Sequence, residues 1–265
     1  MPPDELMREA RAAGLDVVAL TDHDSTGGWA AAAAALPAGL DLVRGAEVSC
    51  RRDGISLHLL AYLFDPEEPV LRGRLDELVQ SRAGRAERMA RLLEDAGTGV
   101  TWRRVRELAG GTVGRPHLAQ ALLEQGHVAS VSEAFTPEWI GTSGRFWVTK
   151  LELDVVEAVG LVVAAGGVAV FAHPAATGRG RTVGDDVIAD LAAAGLAGLE
   201  VDHLDHDGPA RAHLRGVATD LGLFTTGSSD YHGTHKSVHL GAELTPEASY
   251  DAIVERARGV EVLHG

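Results

Sequence analysis

The feature that most constrains this chain is an alternation of short apolar runs with amphipathic helical patterns. Runs at Val17–Thr21, Leu40–Glu47, Ser56–Leu63, Val168–Ala172, Gly198–Val201 and Phe224–Gly227 read as strands. Helical spacing covers Pro3–Ala13, Gly27–Ala35, Asp154–Ala165, Val183–Ala194, Pro209–Leu221 and Thr245–Arg258. A strand that is apolar on both faces needs cover on both sides, and alternation with helices is the pattern of βα units around a parallel sheet. Gly14, Gly195 and Gly222 follow helical segments, where a left-handed residue ends a helix most cheaply. With 265 residues the chain has room for one large α/β domain carrying an insertion.

Between Pro66 and Lys150 the rhythm changes. Arg-rich helical stretches at Val70–Ala96, Thr101–Ala109 and His117–Gln125 replace the strands, joined by "GTGVTW", "GGTVGRPH" and "TPEWIGTSGRF". The expected organisation is a barrel-like domain from residues 1–66 and 147–265, interrupted by a helical insertion over 67–146.

Charge and cysteine content narrow the function. The net charge of −14 argues against broad binding to duplex nucleic acid. Cys50 is the single cysteine, so an internal disulfide and a thiolate metal cluster are both excluded, as suits a reducing cytoplasm. The opening "MPPDELMREA" is acidic and amphipathic, unlike a secretory signal. The apolar run Ala158–Ala172 falls short of the roughly 18 residues of a membrane helix and contains Gly166-Gly167. A soluble, cytoplasmic protein with no membrane partner is expected.

The chemistry is concentrated at the strand ends. The first strand runs into Thr21-Asp22-His23-Asp24, the second into Glu47, and the third carries His58. Later strands lead to His173 in "VFAHP", to Glu200, Asp202, His203 and His206 in "LEVDHLDH", and to Asp230 and His232 in "TTGSSDYHG". In an α/β barrel such ends share one mouth, and converging imidazoles and carboxylates suit Zn2+, Mn2+ or Fe2+. Each residue alone has a plainer reading. A single strand-end histidine is commonly a hydrogen-bonded cap, and Asp24 with Ser25-Thr26 reads as the N-cap of the next helix. His213 reads as a surface residue, and His127, His235, His239 and His264 as loop or tail residues. The series as a whole favours a metal centre.

The motifs "ALTDHDSTGG", "GAEVSC", "LHLLAYLFD", "GRPHLAQALLEQGHV", "AVFAHP" and "GSSDYHG" resemble the PHP (polymerase and histidinol phosphatase) domains. The resemblance is to the branch of nucleoside 3′,5′-bisphosphate phosphatases and 5′→3′ oligoribonucleases. It implies a distorted (β/α)7 barrel with up to three divalent ions. On this resemblance His23 binds the third ion, Glu47 bridges the first two, His58 and His173 serve the second, Asp230 the first and His232 the third. The family's remaining ligands, a His-x-His on a preceding strand and an acid soon after, have no counterpart here. Either the natural start lies upstream, or the chain is a truncated paralogue that binds nucleotide or phosphate with weak catalysis.

The implied reaction is hydrolysis of a phosphate ester in a small nucleotide, or at the 5′ end of a short oligoribonucleotide. The ions acidify water and neutralise charge on phosphoryl oxygens. Arg115 is the first choice for a phosphate clamp, since guanidinium binds phosphate through two parallel hydrogen bonds. Arg82, Arg85 and Lys150 are further substrate-binding candidates, with a solvated helix face as the alternative. His206 is a candidate proton donor to the leaving group, and His117 either touches substrate or holds its loop. A histidinol-phosphatase-type hydrolase is the other enzyme reading; "GRPH" and the insertion weigh against it.

Overall fold

The computed structural model describes residues 1–109, 113–233 and 238–265. His235, and Gly110 to Thr112 of the "GGTVGRPH" loop, lie outside the described residues. Two compact units form: Met1–Leu75 with Glu152–Gly265, and Asp76–Leu151.

The first unit is built on a curled sheet whose longest strand is β2 (Asp41–Arg52). Its residues Ala46 to Cys50 are buried without a break, as both covered faces demand. β1 (Val17–Leu20) pairs parallel with the first half of β2, and β3 (Ile55–Tyr62) antiparallel with the second half. β3 then pairs antiparallel with β5 (Val168–Phe171), and β5, β6 (Gly198–His203) and β7 (Phe224–Ser228) run parallel. Short β4 (Leu153–Asp154) and β8 (Leu263–His264) add to β2. The path through the sheet is β1-β2-β3-β5-β6-β7.

The sheet is therefore mixed rather than wholly parallel. The reason is local: Asp53 and Gly54 both take positive φ, closing a tight hairpin that turns β3 back along β2. This reversal decides where His58 goes. The antiparallel register sets it opposite Ser49, two residues beyond Glu47 on β2.

Helices α1 (Pro3–Ala12), α2 (Trp29–Ala34), α6 (Val155–Ala164), α7 (Asp185–Ala193), α8 (Gly208–Leu221) and α9 (Glu247–Arg256) complete this unit. Their ends follow ordinary capping chemistry. Asp154 accepts from the Val156 and Glu157 N–H groups, Asp207 accepts from Ala210, and Gly222 ends α8 at φ +67°. The core joins Val43, Leu60, Tyr62, Val168, Val170, Ile253 and Val262.

In the second unit, Ala86, Met89, Ala90 and Leu93 recur at three- and four-residue spacing on α3 (Pro69–Asp95). They share a core with Val105 of α4 (Trp102–Ala109) and Leu118, Ala121 and Leu122 of α5 (Arg115–Glu124). His127 is bound to the Thr98 carbonyl at 2.7 Å. No described helix is long and apolar enough to cross a membrane.

Candidate metal centre

The centre begins at the end of β1. The Asp24 N–H donates to the Glu47 carbonyl and the Glu47 N–H to the Asp22 carbonyl, at 3.0 and 3.2 Å. This pairing continues the β1–β2 ladder by one rung and sets His23 beside Glu47. Asp24 does not cap α2, whose N-cap is Gly28 with no side-chain bond. Its carboxylate instead accepts from the Ser49 N–H at 2.6 Å and the Ser49 hydroxyl at 2.9 Å, fastening the motif to β2. At φ +57° it takes the left-handed conformation that Asp tolerates better than most residues.

Three imidazoles converge on Glu47. His58 Nδ1 lies 2.6 Å from Oε1, His173 Nε2 3.3 Å from the same oxygen, and His23 Nδ1 3.4 Å from Oε2. The ligand atoms of His23, Glu47 and His58 all lie within 4.8 Å of one another. Burial would raise the Glu47 pKa, but His23, His58 and His173 outweigh it and hold the carboxyl well below its usual range. For His173, burial opposes charge while Glu47 and Glu200 favour it, and the balance lies above the ordinary value. A buried carboxylate faced by imidazole nitrogens is the mixed N/O donor set that borderline divalent metals prefer. The residues present fit such an ion.

The rings continue in a row across the sheet. Centroid separations are 6.2 Å from His232 to His23, 4.9 Å to His58, 5.3 Å to His173 and 5.4 Å to His203. Glu200, within β6, accepts the His173 N–H at 2.8 Å, holding a residue whose own φ is +31°. Burial raises the Glu200 pKa, partly offset by His173 and His203.

Sequence comparison agrees with this geometry. The chain is 35% identical over 243 residues to a 3′,5′-nucleoside bisphosphate phosphatase of Chromobacterium violaceum, covering 88% of this chain and 82% of that protein. It is 30% identical over 245 residues to a 5′-3′ exoribonuclease of Haemophilus influenzae, covering 92% and 89%. A solved structure described as a metal-dependent phosphoesterase, from Bifidobacterium adolescentis, superposes with a TM-score of 0.90 at 32% identity, covering 97% of this chain and 91% of that one. This chain belongs to the PHP family of metal-dependent phosphoesterases. No family model matches it. A second solved structure, an amidohydrolase of C. violaceum with bound sulfate and no metal, superposes at 0.82 with 30% identity, covering all of this chain and 93% of that one.

The second group of candidate PHP ligands lies at the end of β7. Asp230 is in the left-handed region at φ +46°, with its N–H bonded to the Ser228 hydroxyl at 3.0 Å. His232 Nδ1 lies 2.8 Å from the Asp230 carbonyl, so this nitrogen carries the proton and Nε2 is left as the donor atom. Sequence reasoning did not single out Arg179. Its guanidinium reaches Asp230 from the loop after β5, and the run "GRGR" soon after the His173 motif was the available signal.

His206 is held by main chain. Its Nδ1–H donates to the Val201 carbonyl at 2.9 Å and its Nε2 accepts from the Ala175 N–H at 3.2 Å. Burial lowers its pKa. Both ring nitrogens are thus engaged, joining the His173 loop to β6. Between a proton donor and a positioning residue, this geometry favours positioning.

Within the second unit, Arg85 and Arg115 lie over the Trp147 ring, 4.2 and 5.0 Å from its centroid, and Arg115 also lies 5.3 Å from that of Phe135. Arg85 also donates to the Val148 carbonyl at 2.6 Å. His117 accepts the Gly114 N–H on Nδ1 at 3.0 Å, closing the first turn of α5. Of its two expected roles, this geometry favours loop holding. Arg82 and Lys150 belong to the same unit.

Proposed function

We propose that this PHP phosphoesterase hydrolyses a phosphate ester of a small nucleotide, a 3′,5′-bisphosphate, or acts at the 5′ end of a short RNA. The observation that carries the reading is the buried Glu47 with three imidazoles on its two oxygens. Bound divalent ions (Mn2+, Zn2+ or Fe2+) would supply an acidified water and positive charge opposite the phosphoryl oxygens. His23, Glu47, His58 and His173 hold one part of this centre, and Asp230 and His232 the other. Glu200 orients His173 through its backbone, and His206 fixes the loop that follows.

Substrate grip is assigned to Arg115, with Arg85, Arg82 and Lys150 as further cations. The Arg115 guanidinium is held over the Phe135 and Trp147 rings and donates to the Ile140 carbonyl, and a guanidinium held in a fixed plane suits two-point phosphate recognition. His117 shapes the turn that carries Arg115. The names of the relatives, a bisphosphate phosphatase and an exoribonuclease, support a nucleotide substrate.

The test is phosphate or nucleotide release by the chain loaded in turn with Mn2+, Zn2+ and Fe2+. The substrates are adenosine 3′,5′-bisphosphate, a 5′-phosphorylated RNA pentamer and histidinol phosphate. Turnover of either nucleotide substrate at least tenfold above histidinol phosphate supports the reading. Preference for histidinol phosphate, or tight nucleotide binding without turnover, would replace it.

A further inference from the structure

Arg179 sits at the end of a short turn, Thr177–Arg179, between β5 and α7. Its Nε donates to Asp205 and its Nη2 to Asp230, each at 2.5 Å. The same Nη2 lies 3.4 Å from His203 Nε2. His203 Nδ1 lies 3.0 Å from the Asp205 N, and its Nε2 lies 3.7 Å from Asp230 Oδ2. Asp230 Oδ2 thus faces a permanent cation at hydrogen-bond distance.

A carboxylate oxygen that holds a guanidinium at this distance does not offer the same lone pair to a divalent ion. A fixed positive charge beside it also repels a second cation, strongly so in a partly buried site. Asp205 supplies the other half of the arrangement. It gives the guanidinium a second anchor, so Arg179 can release Asp230 without losing all its partners.

We infer that Arg179 is a built-in competitor for Asp230, setting how tightly that end of the centre binds a divalent cation. The inference rests on the metal-centre reading above. When a cation binds, the Arg179–Asp230 ion pair breaks and the guanidinium stays with Asp205. By linkage, whatever the ion pair contributes is subtracted from the cation's affinity at Asp230 and from no other step.

Mn2+ titration of the full chain by calorimetry, with free Mn2+ counted by electron paramagnetic resonance, reads this directly. His58→Gln, which leaves the bridging carboxylate in place, identifies the binding step that belongs to the Glu47 group. Arg179→Gln is expected to tighten the remaining, weaker step by about tenfold or more, leaving the Glu47 step within twofold. Arg179→Lys keeps the charge but loses the planar fork, and is expected to fall between parent and Arg179→Gln; it also serves where the glutamine variant does not fold. Unchanged or weakened Mn2+ binding in both variants, with the Glu47 step present in the parent, overturns this inference alone. Absence of any His58-dependent step in the parent overturns the metal centre itself, and this inference with it.

Discussion

Asp24 shows how far the centre depends on the fastening of its motif to β2. It is almost fully buried, and its carboxylate accepts from the Ser49 N–H and the Ser49 hydroxyl. Hydrogen bonds to a charged group contribute about 1.5–3 kcal/mol each. Asp24→Ala removes both and places alanine at φ +57°, where a left-handed backbone costs it roughly 1–2 kcal/mol. The parent aspartate already bears part of that strain, so a net destabilisation of about 3–5 kcal/mol is expected. With a urea slope of about 2 kcal/mol/M, the midpoint should fall by roughly 1.5–2.5 M. Asp24→Asn keeps an acceptor for the Ser49 N–H and tolerates positive φ, so its loss should stay near 1 kcal/mol. Asp24→Gly relieves the backbone but restores neither bond, and should fall closer to alanine than to asparagine. Urea unfolding followed by circular dichroism measures all three. An Asp24→Ala midpoint within about 0.5 M of the parent would refute this account of how the motif is fastened.

Two further substitutions separate positioning from chemistry. His206→Gln should lower stability by about 1–3 kcal/mol through the lost Val201 and Ala175 bonds, while turnover at neutral pH stays within about threefold of the parent; a loss of 100-fold in a folded variant would restore the proton-donor role. Because burial lowers the folded-state pKa of His206, its contribution is present above the ordinary histidine value and lost as pH falls through the lowered one. The melting temperature should accordingly drop more between pH 7.5 and 5.5 in the parent than in His206→Gln, and equal drops would count against this. Arg115→Ala should raise KM and lower kcat with the circular dichroism spectrum intact, whereas unchanged kinetics would remove it from the substrate grip.

Much of this was legible in the sequence because strand ends in an α/β fold point their chemistry one way. His23, Glu47, His58 and His173 were each readable from a motif on an apolar run, and the structure brings them onto one carboxylate. Three things were not readable. The antiparallel turn of β3 depends on two positive-φ residues at Asp53-Gly54, a local event hidden within an otherwise regular alternation. Asp24 followed by Ser25-Thr26 carries a capping signature, and only the packing of β1 against β2 shows that Ser49 claims the carboxylate. His206 read as a proton donor from its resemblance to a family loop residue near the leaving group. Its burial and two main-chain partners arise from contacts 5 and 31 residues away. Arg179 escaped notice for the same reason, since its partner Asp230 lies 51 residues further on.

The central claim is that Glu47 and its imidazoles form the working metal centre, and one measurement addresses it most directly. Phosphate release from adenosine 3′,5′-bisphosphate is followed with saturating Mn2+ in the parent and in Glu47→Gln, alongside bound Mn2+ per chain. Glutamine keeps the shape but cannot bridge cations as a carboxylate does, so turnover should fall by at least 100-fold with loss of bound Mn2+. Turnover above about a tenth of the parent, at undiminished Mn2+ content, would contradict the account.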